Sequence, residues 1–363
     1  MKRGKIGLSL AVGAAISAVA LYFTFRRIPF GDIWSYMGTI RYAWAFPAAL
    51  VIMASFGVRV IRWQLILGPM LPTKFWEAYH PTMIGFGANC ILPGRVGEFA
   101  RPTILARERG ASFFGLFATV AAERVFDLIS LLVLLAAVAM TVPIDPDFQQ
   151  TFGSYTLNKE TLSAVSLGMV RLVLVVLLGM ILVSVGKTRN LMARAIIKSP
   201  EFIFFLSPAA RDKVCKKACE PAVALMERIA QGFDMVRSPA RIALCLFLSF
   251  VVWGLLGLSW WIMAQGCPGV ELSFFQLTAA MVIVCFFISL PSVPGFWGLW
   301  EAGGIFALSL FGVAASQAAG FTLVNHVLQT LPVMVMGGIS AVIKGVNLWS
   351  LAGSREEAGE GDG

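Results

Sequence analysis

The chain has 363 residues, of which 58% are hydrophobic and 13% charged, and its mean hydropathy is +0.79. A soluble domain carries about 25% charged residues to cover its surface. An ordinary water-soluble enzyme is therefore excluded, and a bilayer has to supply part of the solvent. The net charge of +9 does not indicate nucleic acid, because Lys and Arg flank apolar runs instead of forming one basic stripe. Six cysteines, at 90, 215, 219, 245, 267 and 285, lack CxxC spacing, and the only two histidines, His80 and His326, lie far apart. A zinc site, a disulfide framework and a Ser-His-Asp triad thus have little support, and no metal or cofactor is expected.

Lys2, Arg3 and Lys5 precede an apolar run at 6 to 25. Ala18-Val19-Ala20 has the form of a signal-peptide cleavage site, but the run continues through Leu21 to Phe25, which favours an uncleaved anchor. With about 20 apolar residues needed per spanning helix, further full spans fall near 43 to 66, 112 to 142, 162 to 186, 241 to 265 and 318 to 346. Two shorter runs, near 76 to 92 and 274 to 290, each end in a Pro-Gly turn and are too short to cross comfortably. Another short apolar piece follows at 301 to 314. The expected fold is an all-α polytopic membrane protein with about six full transmembrane helices and two short re-entrant or broken segments. Residues 1–350 form the membrane domain, and the Glu-, Gly- and Asp-rich end at 351–363 is expected to be a disordered acidic tail.

Residues 187–241 carry 11 basic and 5 acidic side chains, whereas 143–161 carry one Lys and three acids. Retention of Lys and Arg on the cytoplasmic side makes the first segment and the N-terminus cytoplasmic and the second segment external. Arg26, Arg27 and Arg41 run against that rule in the first hairpin. Within 187–241, Ala222, Leu225, Met226, Ile229, Phe233 and Val236 recur at helical spacing opposite Glu227, Arg228 and Asp234. That is the pattern of a surface helix lying on the membrane or packed under the bundle, or of a plain connector.

Three motifs concentrate the chemistry. In Asn89-Cys-Ile-Leu-Pro93-Gly94-Arg95-Val-Gly97-Glu98-Phe-Ala-Arg101 an apolar segment ends, the chain turns, and charges follow at once. Glu98 and Arg101 share a helix face at a spacing of three, and Arg95 can reach a carboxylate or a lipid phosphate. The plainer alternative is an interfacial loop with solvated charges. Glu123-Arg124-Val-Phe-Asp127 lies inside the long run at 112 to 142. Ionisable groups there face a bundle interior or a wet cavity, unless the span starts later and leaves them at headgroup level. Pro291-Ser-Val-Pro294-Gly295-Phe-Trp-Gly298-Leu-Trp-Glu301 closes the second short run. Pro93-Gly94-x-x-Gly97 and Pro294-Gly295-x-x-Gly298 have the same form, each with a glutamate behind. Interrupted segments at matching places in two halves point to an inverted repeat and a midplane site, with Glu98 and Glu301 converging on one cavity; chance is the competing explanation in a chain with 35 Gly. Trp297 and Trp300 read equally as interfacial anchors, and Arg59 and Arg62 as cytoplasmic boundary markers. His326, inside the last span, is either simply hydrogen-bonded or a proton carrier.

On these motifs the sequence resembles the lysylphosphatidylglycerol synthase transmembrane-region family, also called flippase-like integral membrane proteins, from about Arg59 to Lys344. The family pattern is matched by Asn89, Leu92, Pro93, Arg95, Gly97, Glu98 and Arg101, then by Glu123, Arg124 and Asp127, and finally by Pro291, Pro294, Gly295, Gly298 and Glu301. Phe296 stands where the family has a second Gly, so a turn less permissive than usual is expected. The resemblance implies a bacterial inner-membrane, multi-pass region that in full-length synthases is joined to a soluble aminoacyltransferase domain. No stretch here is long and polar enough to be that domain.

The leading expectation is thus a lipid flippase or polar-lipid-binding transporter for a phospholipid or a polyprenyl-linked lipid. Arg95 and Arg101 would engage a phosphate, Glu98 and Glu301 a cationic or hydroxylated head, and Glu123, Arg124 and Asp127 would lock the cavity wall. Its partners are membrane lipids with polar or anionic heads, not nucleic acid. Two rivals remain. One is a membrane glycosyltransferase using a polyprenyl-phosphate sugar, with Asp145 and Asp147 binding a cation or acting as base. The other is a scaffold that holds a separately encoded enzyme partner through residues 187–241.

Overall fold

The computed structural model describes residues 2–26, 28–92, 95–141, 150–152, 155–157, 167–168, 170–171, 174–175, 177–179, 182–202, 211, 214–289 and 293–347. Pro93, Gly94, Asp145, Asp147, Pro291, the tail at 351–363 and part of the run at 162 to 186 lie outside them. The helices are α1 (Lys2–Phe25), α2 (Phe30–Met37), α3 (Ala45–Leu67), α4 (Phe75–Ile91), α5 (Gly97–Arg109) and α6 (Phe113–Thr141). They continue as α7 (Gly186–Lys198), α8 (Glu220–Gly232), α9 (Pro239–Ala264), α10 (Phe274–Phe287), α11 (Leu299–Ser309) and α12 (Ala315–Ile343). One small antiparallel hairpin, Gln150–Phe152 with Tyr155–Leu157, sits in the segment read as external.

The protein is an all-α polytopic membrane protein. α3 with its preceding turn, α9 and α12 are each long and apolar enough to cross a bilayer. α6 is as long as α12, at 29 residues, and holds its three ionisable residues inside the bundle. Local chemistry sets the starts: Pro239 opens α9, and Ser273 caps α10 in a reciprocal box with Gln276 (Ser273 N to Gln276 Oε1, 2.9 Å).

Between the long helices lie two folded-back pairs. α4 and α5 pack on each other through Ile84, Ala88, Leu92, Val96, Ala100 and Ile104, and α10 and α11 pack likewise. Their lengths are 17, 13, 14 and 11 residues, or about 26, 20, 21 and 17 Å at 1.5 Å per residue, against a hydrocarbon core of about 30 Å. None of the four is long enough to span it alone, in keeping with the two short segments expected from the sequence.

The chain therefore runs twice through long helix, hairpin, long helix: α3, α4–α5, α6, then α9, α10–α11, α12. α3 and α9 are antiparallel, since Arg41 N donates to Gly266 O (2.8 Å) at one end while Arg62 meets Ser249 farther along. The repeats are therefore inverted. α4 packs on α12 and α10 on α6, so each hairpin leans on the last long helix of the other repeat. Among the described residues only two non-glycine positions have positive φ, Arg95 (55°) and Phe296 (64°). They occupy the same place in the two Pro-Gly-x-x-Gly motifs, but the turns diverge after them: Val96 is helical and Gly97 begins α5, whereas Trp297 is extended and Gly298 lies before α11 at φ 90°.

α8 packs under the bundle against α6. Its buried face is Met226 and Ala230 with Phe233 beyond it, and a side chain at Gly232 would overlap Gly115. Leu225 is exposed, so the apolar stripe read from the sequence is rotated by about one position.

Candidate functional site

The hairpin tips meet. Arg95 Nη2 donates to Ile288 O at 2.7 Å, and its guanidinium lies 5.9 Å from the centre of the Phe296 ring. Around this junction is a cavity of about 460 Å³, and all eight helices of the two repeats contribute to its wall. That is an ordinary size for a ligand site.

The first repeat supplies every charged residue of the wall: Arg59, Arg95, Glu98, Arg124 and Asp127, with Asn89 beside them. The second supplies an apolar and neutral surface that includes Trp253, Trp260, Met281, Phe296 and Trp300. Arg124 keeps 38% of its side chain exposed, although it lies deep in a bundle helix. The cavity thus offers a charged flank and an apolar, aromatic flank to one occupant.

Behind the charged flank is a buried ion-pair cluster. Glu123 lies ten residues into α6, about 15 Å along the helix, at a fully buried position. Its side chain is fully buried and accepts from Arg62 Nη2 (3.0 Å), Arg101 Nη2 (2.8 Å) and Arg124 Nη2 (3.2 Å). Asp127 takes Arg62 at 2.6 Å, Arg59 at 3.5 Å and Arg124 at 3.6 Å. Arg62 also donates to Ser249 Oγ (2.5 Å), which ties α9 to the cluster. Four guanidiniums against two carboxylates leave an excess of two positive charges in a region of low dielectric, a field that favours an anion in the adjoining cavity.

Several sequence expectations change here. Arg101 does not face the cavity: it is buried, paired with Glu123 and stacked 4.3 Å over the Trp63 ring. Arg59 and Arg62 are not boundary markers, because α3 continues to Leu67 and both lie inside the bundle. The signal for this was in the sequence: five residues of the helix still follow Arg62. Asn89 has a structural duty, since its Oδ1 accepts from Gly97 N (2.8 Å) and pins the start of α5 to α4.

Glu301 does not converge with Glu98. It is fully buried and outside the cavity wall, with Oε2 accepting from Gly298 N (2.7 Å) and Oε1 2.6 Å from His326 Nδ1. The cause is its position: three residues after Gly298 it caps its own helix, whereas Glu98 directly follows Gly97. His326 Nε2 lies 2.7 Å from Gly295 O. A carbonyl only accepts, so Nε2 carries a hydrogen, and Nδ1 shares a proton with Glu301. His326 also stacks on Trp300, 4.8 Å between ring centres. Pro294 opens the tight turn and Gly295 follows in the left-handed region at φ 72°. His326 and Glu301 thus hold the second tip through the backbones of Gly295 and Gly298.

Among the described residues no group of His, Cys, Asp and Glu is arranged to hold a metal ion. The family model that matches the chain is described as Lysylphosphatidylglycerol synthase TM region, and it covers residues 10–337. No curated protein and no solved structure matches.

Proposed function

The chain belongs to the lysylphosphatidylglycerol synthase TM region family, and on that premise we propose that it binds a polar lipid between its two hairpin tips and moves it across the bilayer. A membrane protein with a lipid-related role is the coarser statement that membership carries. One observation supports the finer one: the cavity at the junction of two inverted repeats is charged on one flank and apolar on the other. Such a wall suits an amphipath, and inverted repeats with broken helices suit alternating access.

In this reading Arg59, Arg95 and Arg124 hold the phosphate of the head. Glu98, whose charge acts on Arg124, accepts from a hydroxyl or ammonium and keeps that arginine turned to the wall. Glu123, Asp127, Arg62 and Arg101 hold the flank rigid. The tips are the moving part: the Arg95–Ile288 contact breaks on one side as the head passes.

Headgroup-quench translocation in proteoliposomes tests this. The wild type should move an anionic phospholipid, and Arg124→Gln should slow it about tenfold or more, the worth of one charge-assisted contact. Unchanged movement in Arg124→Gln would remove the arginine flank from the mechanism.

A further inference from the structure

The lipid reading leaves one ionisable pair unused. α10, α11 and α12 hold no Asp, Glu, Lys, Arg or His other than Glu301 and His326, and both side chains are fully buried. His326 lies about 17 Å along the 29-residue α12. Ionisable groups at such depth mark ion or proton pathways. The hydrogen bonds fix how many protons the pair holds. Nε2 carries a hydrogen for Gly295 O, and the 2.6 Å gap between Nδ1 and Oε1 takes one more, while Oε2 accepts from Gly298 N. With that one shared proton the pair is neutral overall, whichever of the two atoms carries it. A second proton leaves a net positive charge, and loss of the first leaves a carboxylate facing a ring lone pair.

Neither charge is offset where it stands. Of the packed elements, α1 brings Ser17 to the tip and α9 brings Trp260 against Trp300, both neutral. The titratable groups nearby are Cys90 and Arg95 of the first hairpin, Cys285 of α10, Arg59 of α3 and Tyr36 of α2, and none bonds to Glu301 or His326. A buried, unpaired charge is unfavourable, so any change in proton number favours an opened tip where water reaches the pair. His326 stacks on Trp300, which lines the cavity, so the pair lies one ring behind the wall. A glutamine at 301 could make every one of these bonds with no proton to manage, so a purely structural tie does not call for an acid here. Resting on the lipid-transport reading, we propose that His326 and Glu301 are a proton-binding site that latches the second tip, and that lipid passage is coupled to proton movement. The closed tip holds one shared proton, and parting of the tips, which lets the head pass, also lets that proton exchange.

The test compares the full-length wild type with Glu301→Gln in two measurements. In the variant the amide oxygen accepts from Gly298 N, the amide NH₂ donates to Nδ1 of a neutral His326, and Nε2 keeps Gly295 O, so the tip is latched with no acid. The first measurement is hydrogen-exchange protection of residues 293–298, corrected for the intrinsic exchange rate at each pH. Because the opened tip binds the additional proton, wild-type protection should fall from about pH 8 to about pH 5, while that of Glu301→Gln stays level. Equal behaviour of the two proteins would overturn the proton site. The second is translocation of phosphatidylglycerol in proteoliposomes with the membrane voltage clamped. A pH gradient of about one unit should drive up to about tenfold lipid asymmetry between leaflets in the wild type, for one proton per lipid, and none in Glu301→Gln. Lipid movement indifferent to the gradient would overturn the coupling and leave lipid transport standing. A gradient response kept in Glu301→Gln and lost in Glu98→Gln would overturn this pair as the carrier in favour of the cavity carboxylate. No movement of lipid by the wild type would overturn the transport reading and the coupling with it, while the exchange comparison still decides the proton site.

Discussion

Replacing Glu123 by Gln removes one negative charge from the point where three arginines meet. Oε1 now accepts from Arg62 and Arg124, and Oε2 from Arg101. An amide has one acceptor and one donor end. If its oxygen keeps Arg62 and Arg124, its NH₂ opposes Arg101; if it turns over, it keeps Arg101 and opposes the other two. Either way four guanidiniums face a single carboxylate, Asp127, in a fully buried region. Removing one partner from a buried ion pair destabilises a protein by about 3–5 kcal/mol. For a chain of this length that is roughly 5 °C in melting temperature, taking the unfolding entropy per residue of globular proteins. The assay is thermal unfolding in detergent, followed by size-exclusion recovery after heating, with Glu123→Asp as a variant that keeps the charge and should fall between. Glu123→Gln melting within about 1 °C of the wild type would refute the claim that this cluster holds α3, α5, α6 and α9 together.

The remaining predictions concern the hairpins. A methyl group on Gly97 would overlap the Gly85 carbonyl, so Gly97→Ala should give little folded protein. Gly57→Ala, where a methyl meets nothing within 4 Å, should be neutral or stabilise α3 by about 0.5–1 kcal/mol; folded yields on gel filtration compare the two. His326→Phe keeps a ring beside Trp300 but strands Gly295 O and Glu301 Oε1. At about 1–3 kcal/mol for each orphaned group, the second tip should loosen, read as faster hydrogen exchange at residues 293–298 and not at the first tip. Phe296→Gly and Phe296→Ala lose the same ring, yet only Gly is at ease at φ 64°. The Gly variant should therefore be the more stable by about 1–2 kcal/mol, and an Ala variant equal to it would show that the turn carries no strain.

Much of this architecture was legible from apolar run lengths alone. The long runs at 6 to 25, 43 to 66, 112 to 142, 241 to 265 and 318 to 346 correspond to α1, α3, α6, α9 and α12, and the short runs to the hairpins. Length decides this because the bilayer fixes how many residues a span needs. The repeated Pro-Gly-x-x-Gly was legible as a pattern, but its meaning lay in three dimensions: only the fold brings the two tips together across 193 residues of sequence. Which charges face the cavity was not legible. Arg101 and Arg124 look alike in sequence, and one is sealed behind Trp63 while the other opens to the cavity. Helix rotation within the bundle makes that choice, and α3, α5 and α6, which carry cavity-facing and sealed charges together, give no periodic signal of it. The tryptophan flank was missed for the same reason, since Trp near a helix end reads first as an interfacial anchor.

The central claim is that the two hairpin tips must part for a lipid head to pass. The most direct test places cysteines at Arg95 and Ser289 in a background without the six natural cysteines, and bridges them with a short, reducible bifunctional thiol reagent. Headgroup-quench translocation of phosphatidylglycerol is then measured before bridging, after it and after reduction. The expected result is movement that stops on bridging and returns on reduction. Undiminished movement with the tips bridged would contradict the claim and place the lipid path elsewhere in the bundle.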